Sequence, residues 1–277
     1  LTGDNGIATR HLALEELSQA FELTADALHA RFARHAPLLA TQAAERALLE
    51  AATPAHQIDA LLVSTCTGYL CPGLTSYISP RLGLRADALL LDLVGQGCGA
   101  ALPNLRTGEA LLASGRCRQV LSICVEVCSA AFFLDNDPGV LVSACLFGDG
   151  AGAAVLAQQP RGKRRLEWKA AASSLNPKAR DLLRFEQKDG MLRNLLSPAV
   201  PALAAHQAAS VLCEVLQGAG LRRDQVMGWV LHPGGREVLL ALRKSLDLSE
   251  NDLRWSQAVL HQFGNLSSAS LFFVLQT

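Results

Sequence analysis

Short apolar runs punctuate this chain at residues 58–65, 88–94, 119–127 and 153–158, and the stretches between them repeat leucine and alanine every three or four positions. Runs this short and this apolar read as strands buried on both faces, and the intervening periodicity reads as amphipathic helix. Helical patterns cover 14–52, with a break expected near Pro37, then 75–82, 104–114, 200–217 and 237–245. Further strands are expected near 168–173, 228–231 and 271–275. This alternation restricts the chain to an α/β architecture, a largely buried parallel or mixed sheet covered by helices. The basic, proline-containing stretch Pro160-Arg161-Gly162-Lys163-Arg164-Arg165 is the clearest punctuation. It divides the chain into halves, 1–158 and 159–277, which run strand and helix in similar order without a sequence repeat.

Half of the 277 residues are apolar, enough for one large core or two joined ones. Lysine plus arginine equals aspartate plus glutamate at 25 each, so no global field draws the protein to nucleic acid or an anionic membrane. The apolar runs fall far short of the ~20 residues that span a bilayer. A cytoplasmic location is expected, although the sequence opens at Leu1 without a methionine. The eight cysteines contain no Cys-x-x-Cys pair and lie mostly in apolar runs, which favours reduced, buried thiols over a disulfide framework or a zinc site.

Three polar residues stand where chain reversals follow apolar segments. Cys98, in Gly95-Gln96-Gly97-Cys98-Gly99, lies between a strand and a helix, where glycines admit a substrate and a helix start favours thiolate. Taken alone, it reads equally as a packing cysteine. His232, in Leu231-His232-Pro233-Gly234-Gly235, ends an expected strand, and by itself is a satisfied core residue as readily as a catalytic one. Asn265, in Gly264-Asn265-Leu266-Ser267-Ser268, is by itself a turn residue or helix cap.

In this order and at these separations, the three residues match the set used by decarboxylating condensing enzymes of the thiolase superfamily. The chain resembles the chalcone and stilbene synthase family, the type III polyketide synthases, and less closely the ketoacyl synthase III enzymes. Cys71-Pro72-Gly73, Leu146-Phe147-Gly148-Asp149-Gly150 and Gly264-Asn265-Leu266-Ser267-Ser268 carry the resemblance further, and it covers essentially the whole chain.

The resemblance implies a thiolase-like layered αβαβα fold of two related halves, here without the family's first strand and its closing elements. It also implies a homodimer that takes acyl-CoA and malonyl-CoA and needs no cofactor beyond the CoA of its substrates. By the same resemblance Cys98 carries the acyl chain, and His232 and Asn265 hold the enolate that forms as malonyl-CoA loses carbon dioxide. Asparagine at the third position, rather than the cysteine of thiolases or the glutamate of hydroxymethylglutaryl-CoA synthases, points to malonyl extension. Phe147 matches the aromatic gate between CoA tunnel and cavity. Cys66, Thr67, Cys128 and Ser267 match cavity positions, and Cys71 stands where plant members place a methionine that reaches into the neighbouring subunit. Arg10 and the Gly234-Gly235 backbone are the expected CoA contacts, while Asp149 and Gly150 hold a turn. The rival readings are a single-extension ketoacyl synthase III-like enzyme and an inactive paralogue that serves as a dimer partner.

Overall fold

The structure, a computed structural model, describes residues 6–277. Four strands form its main sheet: β1 (Ala60–Thr65), β2 (Leu89–Val94), β3 (Gln119–Glu126) and β4 (Gly150–Ala157), in the order β2-β1-β3-β4. β1 runs parallel to both β2 and β3, and β4 is antiparallel to β3. The inner strands β1 and β3 have both faces covered, in keeping with their largely apolar sequences. On one face Leu61, Val63, Leu121, Ile123 and Val125 pack against Phe32, Ala36, Ala40 and Ala44, which recur every fourth residue along α1 (Ala25–Glu50). Leu74 and Ile78 of α2 (Leu74–Leu82) join the same layer. On the other face, Leu105 of α3 (Ala101–Ala113) and Phe272 of α8 (Ser270–Gln276) enclose Cys124.

Several elements depart from expectation. Pro37 does not break the first helix. α1 runs straight through it, because burial of the flanking alanines against the sheet outweighs the missing amide donor. The Pro37 carbonyl is engaged by Thr41 Oγ1 at 2.7 Å. The apolar run of β2 predicts burial, yet the strand is a sheet edge, and Leu89, Leu90 and Val94 are 41%, 36% and 47% exposed. Residues 271–275 form helix, not strand. The Leu266 amide is accepted by Ser270 Oγ at 3.0 Å, and the helix seats Phe272 over Gly152 of β4. Residues 168–173 and 228–231 are irregular and, among the described residues, pair with no strand. The Leu231 amide and carbonyl bond instead to Ser256 Oγ of α7 (Arg254–Phe263), at 3.1 and 2.7 Å.

A hairpin that the pattern did not suggest, β5 (Leu183–Lys188) and β6 (Met191–Leu196), turns at Asp189-Gly190 and lies against α4 (Pro138–Leu146). Beyond it, α5 (Val200–Ala219) and α6 (Arg236–Ser245) pack through Ala205, Leu242 and Leu246.

Candidate active site

The chain leaves the exposed end of β2, makes a single 3-10 turn at Gly97–Gly99 and enters α3. Cys98 sits on that turn, half-buried, and the space beside Gly97 and Gly99 is open. The sulfur accepts a hydrogen bond from Ser267 Oγ at 3.4 Å, across a sequence separation of 169 residues.

Ser267 is the hub of the site. Its backbone is in the left-handed region at φ +51°, uncommon for a serine and tolerated because three contacts determine it. Its amide donates to Asn265 Oδ1 at 2.8 Å, its hydroxyl lies 3.4 Å from Cys66 Sγ, and the same hydroxyl lies 3.3 Å from Glu126 Oε1. Asn265 is itself fixed on both sides. With Oδ1 taken by Ser267, its Nδ2 must point the other way, where it donates to the Gly234 carbonyl at 3.3 Å. That bond joins Asn265 to the His232 turn, since the Gly234 amide donates to the His232 carbonyl at 2.8 Å and the imidazole packs against Gly234.

Phe147 and Asn265 form a parallel bridge, with Asn265 N to Leu146 O and Gly148 N to Asn265 O both 3.0 Å. Gly264 makes the approach possible: its φ is +71°, and a Cβ there would lie 2.8 Å from the Leu146 carbonyl. Asp149 holds the next turn, as expected, by accepting from Ala13 N at 2.7 Å and from Ser129 N at 2.8 Å.

A cavity of about 860 Å³ opens beside the sulfur. Of the residues singled out in the sequence, Cys66, Thr67, Cys98, Cys128, Phe147 and Ser267 all line it. Asn265 stands behind Ser267, and His232 stands beside Gly234, neither at the cavity wall. Cys71 lies exposed at the surface. The Arg10 guanidinium is engaged within the fold, where it donates to the carbonyls of Ala144 and Phe147 at 2.6 and 3.1 Å and closes the end of α4.

The sequence reading missed Glu126. It is fully buried at the end of β3, accepting from Cys66 N at 3.0 Å and from Thr67 Oγ1 at 2.9 Å, as well as from Ser268 Oγ. Desolvation pushes its carboxyl above the ordinary carboxylate range, and the hydrogen bonds from Ser268, Cys66 and Thr67 oppose that shift. The signal was present as a lone acid inside the apolar run Val125-Glu126-Val127. Because the folded state binds this proton more tightly than the unfolded chain, the associated stability is complete below the ordinary glutamate pKa and is lost as pH rises through the folded value. Glu126→Gln is expected to gain stability relative to wild type between pH 4 and pH 8, read as a growing difference in urea midpoint; a difference that shrinks would show an ionised, stabilised carboxylate. Glu126→Ala leaves several buried donors unpaired and is expected to cost about 1–3 kcal/mol at either pH.

Burial opposes charge on both groups: it pushes the Cys98 thiol up to about 11, against the hydrogen bond from Ser267, and the His232 imidazole down to about 4.

Cys98, a shared serine hydroxyl and an oriented carboxamide thus gather beside the cavity. Residues 8–160 match the N-terminal domain of the chalcone and stilbene synthases, and residues 167–277 match the C-terminal domain. The chain belongs to the chalcone and stilbene synthase family. It is 33% identical over 216 residues to a 3,5-dihydroxyphenylacetyl-CoA synthase of Streptomyces toyocaensis, covering 76% of this chain and 55% of that one. To a 1,3,6,8-tetrahydroxynaphthalene synthase of Streptomyces peucetius subsp. caesius it is 33% identical over 275 residues, 98% of this chain and 73% of the other. The crystal structure of the 1,3,6,8-tetrahydroxynaphthalene synthase of Streptomyces coelicolor, a bacterial type III polyketide synthase, superposes with a TM-score of 0.88 at 27% identity, covering 98% of this chain and 77% of that one. The fold is the thiolase-like α/β fold of these enzymes. The chain spans 55–63% of the length of the 3,5-dihydroxyphenylacetyl-CoA synthases it matches.

Proposed function

We propose that this chain, in halves 1–158 and 159–277, is a type III polyketide synthase that condenses an acyl-CoA starter with malonyl-CoA units. The observation that carries the reading is the single linked geometry of Cys98 and Ser267 at the cavity wall with Asn265 behind them. Cys98 Sγ attacks the starter thioester while His232 takes the thiol proton, and CoA leaves with a proton. The charges on sulfur and imidazole arise together during the attack, as a pair, and are gone once the departing CoA takes the proton from His232. Malonyl-CoA loses carbon dioxide, and the electron pair left behind delocalises onto its thioester oxygen as an enolate. The His232 ring N–H and the second Nδ2 hydrogen of Asn265 are the fixed donors for that oxygen. The enolate carbon attacks the acyl carbon, releases Cys98, and the chain grows by two carbons.

No cofactor beyond CoA is needed for these steps. Among the described residues, no cluster of three or more histidines, cysteines or acids could hold a metal ion, and no helix is long and apolar enough to cross a membrane. A cytoplasmic location suits CoA thioesters as substrates. Gly234 and Gly235, on the turn that joins His232 to Asn265, remain our choice for the pantetheine contact.

The test is radiolabelled malonyl-CoA with a panel of acyl-CoA starters. Products bearing two or more malonyl-derived units support the reading. A single ketoacyl product would favour the ketoacyl synthase III alternative, and no acyl-Cys98 at all would favour the inactive paralogue.

We further propose a homodimer. Among the described residues β2 has an open ladder edge, and exposed Leu89 and Leu90 of the strand with Tyr77 of the adjoining α2 add apolar surface there, an arrangement that a monomer ordinarily avoids. Sedimentation at micromolar concentration is expected to return twice the chain mass; a monomer would refute the assignment.

A further inference from the structure

One wall of the cavity is made by the β5–β6 hairpin, through Phe185, Gln187, Met191, Leu192 and Asn194. The hairpin is a two-stranded ribbon outside the main sheet, and such a ribbon has little stability of its own. Its position therefore depends on what it is fastened to. Its charged fastening includes Lys188, which lies 3.8 Å from Asp135, and centres on Arg193, whose side chain is only 12% exposed and does not line the cavity. Its Nε lies 2.8 Å from Asp135 Oδ2, its Nη2 3.3 Å from Asp137 Oδ2, and its Nη1 2.9 Å from Glu186 Oε1. A guanidinium presents its donors in a rigid planar fork, whereas an ammonium carries three on a freely rotating head.

Asp137 makes the contact consequential. Its Oδ1 caps α4 by accepting from Gly139 N at 2.8 Å, while its Oδ2 faces Arg193, so one carboxylate joins the hairpin to the start of the helix that ends at Phe147. Two closer contacts set the spacing between hairpin and helix. Asn194 Nδ2 donates to Ser143 Oγ at 2.8 Å, and a Cβ at Gly139 would fall 2.6 Å from the Leu196 carbonyl.

We propose that Arg193 is a positioning residue that sets the size of the polyketide cavity by clamping the β5–β6 hairpin onto the start of α4, and so helps determine how many extensions occur before release. This rests on the polyketide synthase reading above. The step it controls follows loading: Cys98 lies on a turn between β2 and α3, and the charged partners of Arg193 are all elsewhere.

The experiment compares wild type with Arg193→Ala and Arg193→Lys, reading acyl loading on Cys98 by intact mass and product lengths from radiolabelled malonyl-CoA. For Arg193→Ala the expected result is loading within about two-fold of wild type and a ratio of full-length to early-released products changed by about five-fold or more. Arg193→Lys is expected to fall between the two, since it restores charge without the fork. An unchanged product ratio in Arg193→Ala would overturn the proposal, as would loading and product formation falling together in step with the folded fraction. Should Arg193→Ala fail to fold, Asp135→Asn decides. It removes one charge from the clamp and keeps the oxygen that accepts from Asp137 N, and the same shift in product ratio is expected from it. A wild-type protein that neither loads nor extends would instead overturn the polyketide synthase reading.

Discussion

Cys98→Ala is expected to lower acyl transfer to the background of uncatalysed thiol exchange, with no starter mass on the protein after incubation with acyl-CoA. All eight cysteines are free thiols, so the prediction is selective. Cys128 is 5% exposed, and burial with the charges of Asp149 and Glu126 raises its thiol well above the ordinary range. Cys66 lines the same cavity but contacts the Glu126 carboxyl, and burial together with that charge likewise opposes its thiolate. Cys98 has Ser267 as a donor toward its sulfur and open space beside both neighbouring glycines, the room a tetrahedral intermediate needs. Persistence of acyl mass in Cys98→Ala, mapped to Cys66, would transfer the carrier role to that residue.

The second large effect is expected at Asn265. Removing one fixed donor from a developing oxyanion lowers rates by about 10²–10³, or roughly 2.7–4 kcal/mol. Asn265→Ala should show that loss in malonyl-CoA decarboxylation. Alanine also releases the Ser267 amide, so Asn265→Asp is the sharper variant: it keeps the oxygen that accepts from Ser267 N and loses the Nδ2 donor. His232→Gln should lower both loading and decarboxylation, because the imidazole accepts the thiol proton in the first step and donates in the second. Decarboxylation at the wild-type rate in both Asn265→Asp and His232→Gln would remove these residues from the oxyanion hole.

These residues were singled out as a set, through the family resemblance, since each alone reads as a packing or turn residue. Each of Cys98, His232 and Asn265 sits in a glycine-containing reversal, a context readable within seven residues. Their joining was not legible, since Ser267 reaches Cys98 only through the packing of α8 and its preceding turn onto β3 and β4. Glu126 was overlooked for the same reason: period and hydropathy mark its run as buried, while the serines and threonines that satisfy the carboxyl come from Thr67 and Ser268, far away in the chain. The apolar run 271–275 suits a strand by composition, and tertiary context decided for helix by packing Phe272 over Gly152. The β5–β6 turn carried a hairpin signal in Asp189-Gly190, but the charged residues of β5 and β6 masked the alternation that would have confirmed it. Arg193, with its three acids, accounts for part of that charge.

The open edge of β2 bears on more than assembly. Among the described residues, the strand that delivers Cys98 to the cavity is bonded on one side, and a ladder held from one side frays more readily than one held from both. Whatever closes that edge also steadies the turn on which the sulfur sits. Specific activity should then depend on protein concentration, falling on dilution as the strand loses its second neighbour, and the nucleophile would be competent only in company.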